Sequence, residues 1–263
     1  ILELALNGGR DPGSGVCLLP GGGELATFSR FDDVLAAWRR QLAYYTRLAV
    51  IGDAAVDASL EALAPDPFCS ALVQDCLARG KTLNEGGAIY DMISGSQFGI
   101  ANVANSLAAL QKLVFEENAL GRHELAAALR ENFAGPRGEE IRQLLLNKAP
   151  KYGNDDDYVD RLAVDAYGDF LREIARYRNR RFGQGPLGGT YFASTSTVSA
   201  NVPAGLVVGA TPDGRYAGES LAEGSSPHPG TDVRGPTAAI RSVTKLPTLA
   251  ITGGQILNLK FSP

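Results

Sequence analysis

The chain has 263 residues, a formal net charge of -4 and a composition 44% hydrophobic and 21% charged, values of a globular protein able to bury one large core or two modest ones. The slightly acidic balance argues against nucleic acid as the main partner, and no run of Lys or Arg appears beyond Asn179-Arg-Arg181. No apolar run approaches the ~20 residues of a membrane span and no signal peptide opens the sequence, so no membrane partner is expected and the expected location is cytoplasmic.

Ile1 to Leu6 reads as the tail of an apolar helix stopped by Asn7-Gly-Gly9, followed by breaker-rich loops over Arg10 to Gly15 and Leu18 to Gly23. Ser29 or Asp32 is placed to cap a long amphipathic helix from Phe31 to Ile51, whose stripe is Val34, Leu35, Trp38, Leu42, Tyr45 and Leu48. A second helix is expected from Asp53 to Leu63, and Pro65-Asp-Pro67 separates it from a third over Phe68 to Ala78. Cys69 and Cys76 fall on one face of that third helix and read as core. With Cys17 they make an odd number at wide spacing, the pattern of reduced thiols rather than of a disulfide framework or metal site. His123 and His228 are too few for a histidine metal cluster.

Gly80 to Asp91 and Ile93 to Ile100 form a glycine-punctuated connection that lacks the GxxxxGK[ST] order of a phosphate loop. Helices are expected over Asn102 to Phe115, His123 to Phe133 and Gly138 to Leu146. The acidic run Asn154 to Asp157 lacks the spacing of a calcium loop and fits the N-cap of the next helix, Tyr158 to Tyr177. Past the basic, glycine-rich stretch from Arg178 to Thr190 the period changes. Strands are expected over Tyr191 to Ala200, Gly205 to Val208 and Ala238 to Val243, with a strand or hairpin around Gly253-Gly254 in Thr248 to Phe261. Between them Thr211-Pro-Asp-Gly-Arg215 reads as a tight turn, Pro212 presetting φ and Gly214 accepting a positive one; Arg215 either pins the turn or holds a carboxylate. Residues 1–190 are thus mainly helical and 191–263 strands and loops, the order of an α+β domain.

Several strings together resemble the glycyl radical enzyme family: ALNGGRDP, GKTLNEGGAIYD, FGIANVANSLAALQKLVFEE, KAPKYGNDDDYVD, TVSANVPAGLVVGATPDGRYAGESLAEGSSPHPGTDVRGPTAAIRSVTKLP and GGQILNLKFSP. They cover nearly the whole chain. NEGGAIYD, KAPKYGNDDDYVD and ANVPAG are most similar to the branch of glycerol dehydratase, choline trimethylamine-lyase and hydroxyproline dehydratase.

The resemblance implies an α/β fold in which this chain is part of a ten-stranded barrel of the pyruvate formate-lyase-like domain. It implies radical cleavage of a C–O or C–N bond in a small polar substrate, in anaerobic metabolism. The family's radical glycine loop, RVxGY or similar, and its cysteine loop, GCxE-like, are absent from the sequence. Both are expected outside it, so the chain is expected to be truncated at both ends and inactive alone, and Cys17 receives no catalytic role. The organic glycyl radical of the full-length enzyme is installed by an activating enzyme that uses S-adenosylmethionine and an iron-sulfur cluster; the full-length enzyme is expected to be a homodimer. No metal or cofactor is expected on this chain. A formate C-acetyltransferase fragment and a radical-free partner subunit are the alternatives. By the same resemblance the strand Ser194 to Val202 lines the cavity. Thr197, Ser199 and Asn201 are its expected substrate-orienting side chains, Val198, Tyr191 and Val202 its apolar wall, and Arg215 and Arg234 are expected to be structural.

Overall fold

The computed structural model describes residues 1–195 and 198–261, and of Val198 the backbone. After the short helix α1 (Leu2–Leu6), the chain enters α2 (Phe31–Leu63), 33 residues without a break. At a rise of 1.5 Å per residue that helix is about 50 Å long. Its start is secured by Asp33, whose carboxylate accepts from the backbone N–H groups of Ser29 (2.8 Å) and Arg30 (2.9 Å), and not by the side chain of Ser29 or Asp32.

The expected break before Asp53 does not occur. Gly52 is tolerated because the second half of α2 is held from one side: Asp53 accepts from the Tyr191 hydroxyl at 2.7 Å, Asp57 pairs with Arg181, and Glu61 lies 3.5 Å from Arg180. These carboxylates recur every four residues and so share one face. The expected helix from Phe68 to Ala78 is instead two short ones, α3 (Pro67–Leu72) and α4 (Cys76–Arg79), separated by Asp75 at φ 81°. Cys76 is buried and Cys69 exposed, so the pair does not share a core face.

A strand follows where only a connection was anticipated: β1 (Tyr90–Gln97). Then come α5 (Ile100–Ala109), continuing as a π-helical segment to Glu116, α6 (Arg122–Arg130), α7 (Gly138–Asn147) and α8 (Asp157–Ile174). Nine of the ten residues of α5 are buried, so it is the central helix of the layer, flanked by α8. The acidic cap is as expected, with Asp156 accepting from Tyr158 N at 3.0 Å.

The second strand, β2 (Leu187–Thr195), pairs with β1 in parallel, Ser94 opposite Phe192 and Ser96 opposite Ser194. A parallel pair needs a long crossover, and α5 to α8 supply it. The expected strand through Ala200 is thus cut at Thr195. Residues 198–206 form α9 (Val198–Leu206), which also replaces the strand expected over Gly205 to Val208. Close docking explains the helix: Leu221 N donates to Asn201 O at 3.2 Å, and a Cβ on Gly205 would stand 2.2 Å from Glu219 O.

Ala238 to Val243 is also helical, within α10 (Pro236–Lys245). Pro236 opens it, Ala239 and Val243 are buried, and Ser242 and Lys245 both bond Asp160 of α8. The last stretch forms neither strand nor hairpin. It lies extended along β2, with Gly253 N donating to Ala193 O (2.9 Å) and Thr195 N to Gly254 O (3.1 Å). Strands therefore do not dominate the last third. Among the described residues no helix is long and apolar enough to cross a membrane, and no group of three or more His, Cys, Asp or Glu side chains is placed to hold a metal ion.

Candidate functional site

Strand residues alternate between the two faces of the pair, so one face carries Ile93, Gly95, Tyr191 and Ala193 and the other Met92, Ser94, Ser96, Phe192 and Ser194. The first face packs on the helices: a Cβ on Gly95 would lie 3.1 Å from Phe170 Cζ of α8, and the Tyr167 hydroxyl donates to Ser194 O at 3.2 Å. The second face is hydroxyl-rich. Ser194 Oγ lies 2.5 Å from Ser94 Oγ and 3.0 Å from Ser96 Oγ, and the latter two stand 3.5 Å apart. Ser194 is buried, whereas Ser94 and Ser96 are exposed.

Both strands end at the same side of the molecule, where α5 and α9 begin. In parallel sheets ligands bind beyond these carboxyl ends, because the connecting loops and helix starts surround the space there. Two hollows open at that end. A groove of about 400 Å³ lies between the strand pair and helices α2 and α8, lined by Ile93, Ser96 and Gln97 together with Tyr45, Asp53, Phe170 and Tyr191. A cleft of about 430 Å³ adjoins it, sharing Ser96 and Gln97, and runs between the start of α5, Tyr167 of α8, the end of α9 and Glu3 of α1. Its walls are mainly apolar, with Val103, Phe170, Val207 and Leu221.

Glu3 joins α1 to the far wall by accepting from Gly209 N at 2.7 Å. Burial pushes its carboxyl above the usual carboxylate range, and the Gly209 hydrogen bond only partly opposes this. Beyond Gly209 the expected turn is present: Thr211 N donates to Arg215 O at 3.1 Å and Gly214 has φ 94°. Arg215 is buried and donates to the carbonyls of Glu219 (2.7 Å), Val208 (3.1 Å) and Gly209, which makes it the pin of this loop. Arg234 is likewise structural, bonding Asn154 O at 3.2 Å.

Of the side chains expected to contact substrate, Thr197 and the Val198 side chain lie outside the described residues. Ser199 is exposed on the first turn of α9. Asn201 is buried and its amide donates to Leu221 O at 2.8 Å, which ties α9 to the cleft wall. Nothing local in the chain marks Ser94 and Ser96, which come together with Ser194 only through the β1–β2 register. None of the three cysteines lines the groove or the cleft. Cys17 sits in the breaker-rich loop with Sγ 3.9 Å from Gly8 O. What the site offers is hydroxyls, amides, the carboxylates of Glu3 and Asp53, and apolar wall.

The family model described as pyruvate formate lyase-like matches residues 1–205. The chain is 52% identical over 265 residues to the probable dehydratase YbiW of Escherichia coli (strain K12), a match that covers 100% of this chain and 33% of that protein. Among solved structures it superposes on one concerning 1,2-propanediol dehydration in Roseburia inulinivorans, with a TM-score of 0.88 and 43% identity over 97% of this chain and 32% of the other. It also superposes on the hydroxyproline dehydratase of Clostridioides difficile with trans-4-hydroxy-L-proline bound, with a TM-score of 0.89 and 33% identity over 97% of this chain and 31% of the other. The chain thus spans about a third of the length of the proteins it matches.

Proposed function

Because the chain belongs to the pyruvate formate lyase-like family of glycyl radical enzymes, we propose that it builds part of the substrate cavity of a dehydratase or lyase that cleaves a C–O or C–N bond in a small polar molecule. The observation that carries this is the hydroxyl-bearing sheet face and the adjoining cleft of about 430 Å³ at the carboxyl ends of two parallel strands, on a backbone shared with family members of that reaction class.

In this reading β1 and β2 are two strands of a ten-stranded α/β barrel whose other strands lie in polypeptide beyond these 263 residues. The free edge of β1 receives a neighbouring strand. The thiyl cysteine and the radical glycine also come from outside the chain, and residues 1–263 alone are inactive. The radical, installed by a radical S-adenosylmethionine activating enzyme, supplies the hydrogen-atom abstraction. The residues of this chain hold the substrate while water or an amine departs, and they keep solvent out of the cavity. In the same reading Thr197 and Ser199 contribute hydroxyls and Val198 apolar wall, and Asn201, whose amide donates to Leu221 O, holds α9 in place. The full-length enzyme works as a homodimer on a small molecule such as a diol, a hydroxy amino acid or choline.

The test is anaerobic activation of the full-length polypeptide and of residues 1–263 separately, each assayed with propane-1,2-diol, glycerol, trans-4-hydroxyproline and choline. Turnover by the full-length protein alone supports the proposal. Turnover by the 263-residue chain overturns it.

A further inference from the structure

A further hollow, of about 140 Å³, is bounded by α1, the turn Leu25–Thr27, the end of α6 and the Thr211 turn. It shares Leu2, Glu3 and Thr211 with the cleft, so α1 and Thr211 form the partition between the two. Its interior is apolar: Leu2, Leu6 and Leu25 are buried and Leu129 is half-buried. An apolar cavity of about 150 Å³ accepts benzene, so this hollow has room for a chain or ring of roughly four to six carbon atoms.

Its hydrogen-bond donors come from the end of α6. Arg130 is the last residue of that helix, and among the described residues its guanidinium has neither an ion-pair nor a hydrogen-bond partner. The neighbouring arginines are all engaged: Arg122 donates to Phe28 O, Arg137 pairs with Glu124 and Glu140, and Arg142 pairs with Glu139 and donates to Gly214 O. Asn132 stands two residues on, at φ 51°, a conformation that asparagine tolerates. Its Oδ1 accepts from Ala217 N at 2.8 Å, which fixes the amide and leaves Nδ2 with donors to spend. Of the two carboxylates in the lining, Glu3 is engaged by Gly209 N at 2.7 Å and Glu24 is exposed. Unspent donors beside an apolar pocket, one of them a forked permanent cation, match a carboxylate joined to a short hydrocarbon.

We propose that this hollow is a second ligand site, separate from the substrate cavity, that binds short-chain monocarboxylates. Arg130 and Asn132 hold the carboxylate, and the hydrocarbon lies among Leu2, Leu6, Leu25 and Leu129. An occupant packs against α1 and Thr211, the walls this site has in common with the cleft, and so steadies that partition from behind. The site stands on its own residues and does not depend on the reading of the cleft as a substrate cavity.

Binding to full-length protein that has not been radical-activated tests this without turnover. Butanoate and butan-1-ol, which share the hydrocarbon and differ in the carboxylate, are titrated calorimetrically into the wild type, Arg130→Gln and Arg130→Lys. Hydrogen exchange with and without butanoate then locates the site. The wild type is expected to prefer butanoate. Arg130→Gln should weaken butanoate binding about tenfold or more, the loss of a charge-assisted hydrogen bond, and leave butan-1-ol unchanged, while Arg130→Lys keeps part of the preference. Butanoate should slow exchange in residues 25–27 and 122–132. No saturable butanoate binding by the wild type overturns the proposal, as does undiminished affinity in Arg130→Gln or slowed exchange confined to residues 96–106 of the cleft. If Arg130→Gln fails to fold, the exchange map of the wild type decides between the two hollows. Turnover by the activated enzyme, or its absence, bears on the reading of the function alone.

Discussion

Asn102 Nδ2 donates to Asp213 Oδ2 at 2.7 Å in a buried contact, and Oδ1 of the same amide accepts from Ala222 N at 2.7 Å. One side chain thereby ties the first turn of α5 to the Thr211–Arg215 turn and to the segment behind it, and so fixes two walls of the cleft against each other. Asn102→Leu leaves a buried carboxylate oxygen and a buried amide unpaired, and the expected loss is ~2–4 kcal/mol in urea unfolding. A loss below ~0.5 kcal/mol, the usual range of a surface substitution, contradicts the assignment.

Arg181 is the second tie. Its Nε lies 2.5 Å from Asp91 of β1 and its Nη1 pairs with Asp57 of α2, all three side chains being nearly buried. Arg181→Met removes the cation and strands two carboxylates, a change expected to cost ~3–5 kcal/mol. Because the pair is buried, the loss should hardly change between low and high salt. Strong salt dependence in the unfolding midpoint of the wild type relative to the variant contradicts a buried network.

Stability should pass through a maximum in the alkaline range. Burial pushes the Lys151 ammonium down to about 8, with Asp213 opposing only in part. Its folded value lies below the unfolded ~10.4, so the unfolded chain holds the extra proton between the two, and stability rises with pH across that window by up to ~1.4 kcal/mol per unit. Burial also raises the phenols of Tyr152 and Tyr167 above their ordinary value of 10.0. Above that pH the unfolded chain ionises first, so stability falls. Denaturation midpoints from pH 7 to 11 check both limbs, and Lys151→Met should lose the rising one.

Gly253→Ala probes the segment laid along β2. A Cβ there would stand 2.3 Å from Phe192 Cε2 and 2.6 Å from Ser194 Cβ, on the hydroxyl-bearing face. Residues 253–256 must then leave β2, and the expected cost is ~1–3 kcal/mol of overpacking. Hydrogen exchange at Gly253 and Thr195, whose amides bond across that contact, should quicken. Unchanged protection there contradicts the docking.

The helical layer was legible because burial on one side of a helix leaves a periodic trace: Val34, Trp38 and Leu42 lie on the stripe read from the sequence and are buried. The turn at Thr211 and the cap at Asp156 were legible because each is local chemistry. Residues 198–206 misled because Val, Ser and Asn there are poor helix formers, and the helix is imposed by the Leu221 segment packed against Gly205. Ala238 to Val243 lies in a helix that packs on α8, and the opening Pro236 was the missed signal. β1 escaped notice because Ser94, Gly95 and Ser96 carry no strand signature; they become a strand by pairing with β2. Ser194 lay inside the stretch read as cavity wall, yet its partner Ser94 is 100 residues away, a separation that only tertiary structure closes.

The most direct test of the account is product analysis of the activated full-length enzyme under strict anaerobiosis, by mass spectrometry, with diols, hydroxyproline, choline, and pyruvate plus coenzyme A offered side by side. The account predicts loss of water or an amine from one of the first three classes. Formate and acetyl-coenzyme A from pyruvate, or no cleavage of any C–O or C–N bond although the glycyl radical is seen by paramagnetic resonance, would contradict it.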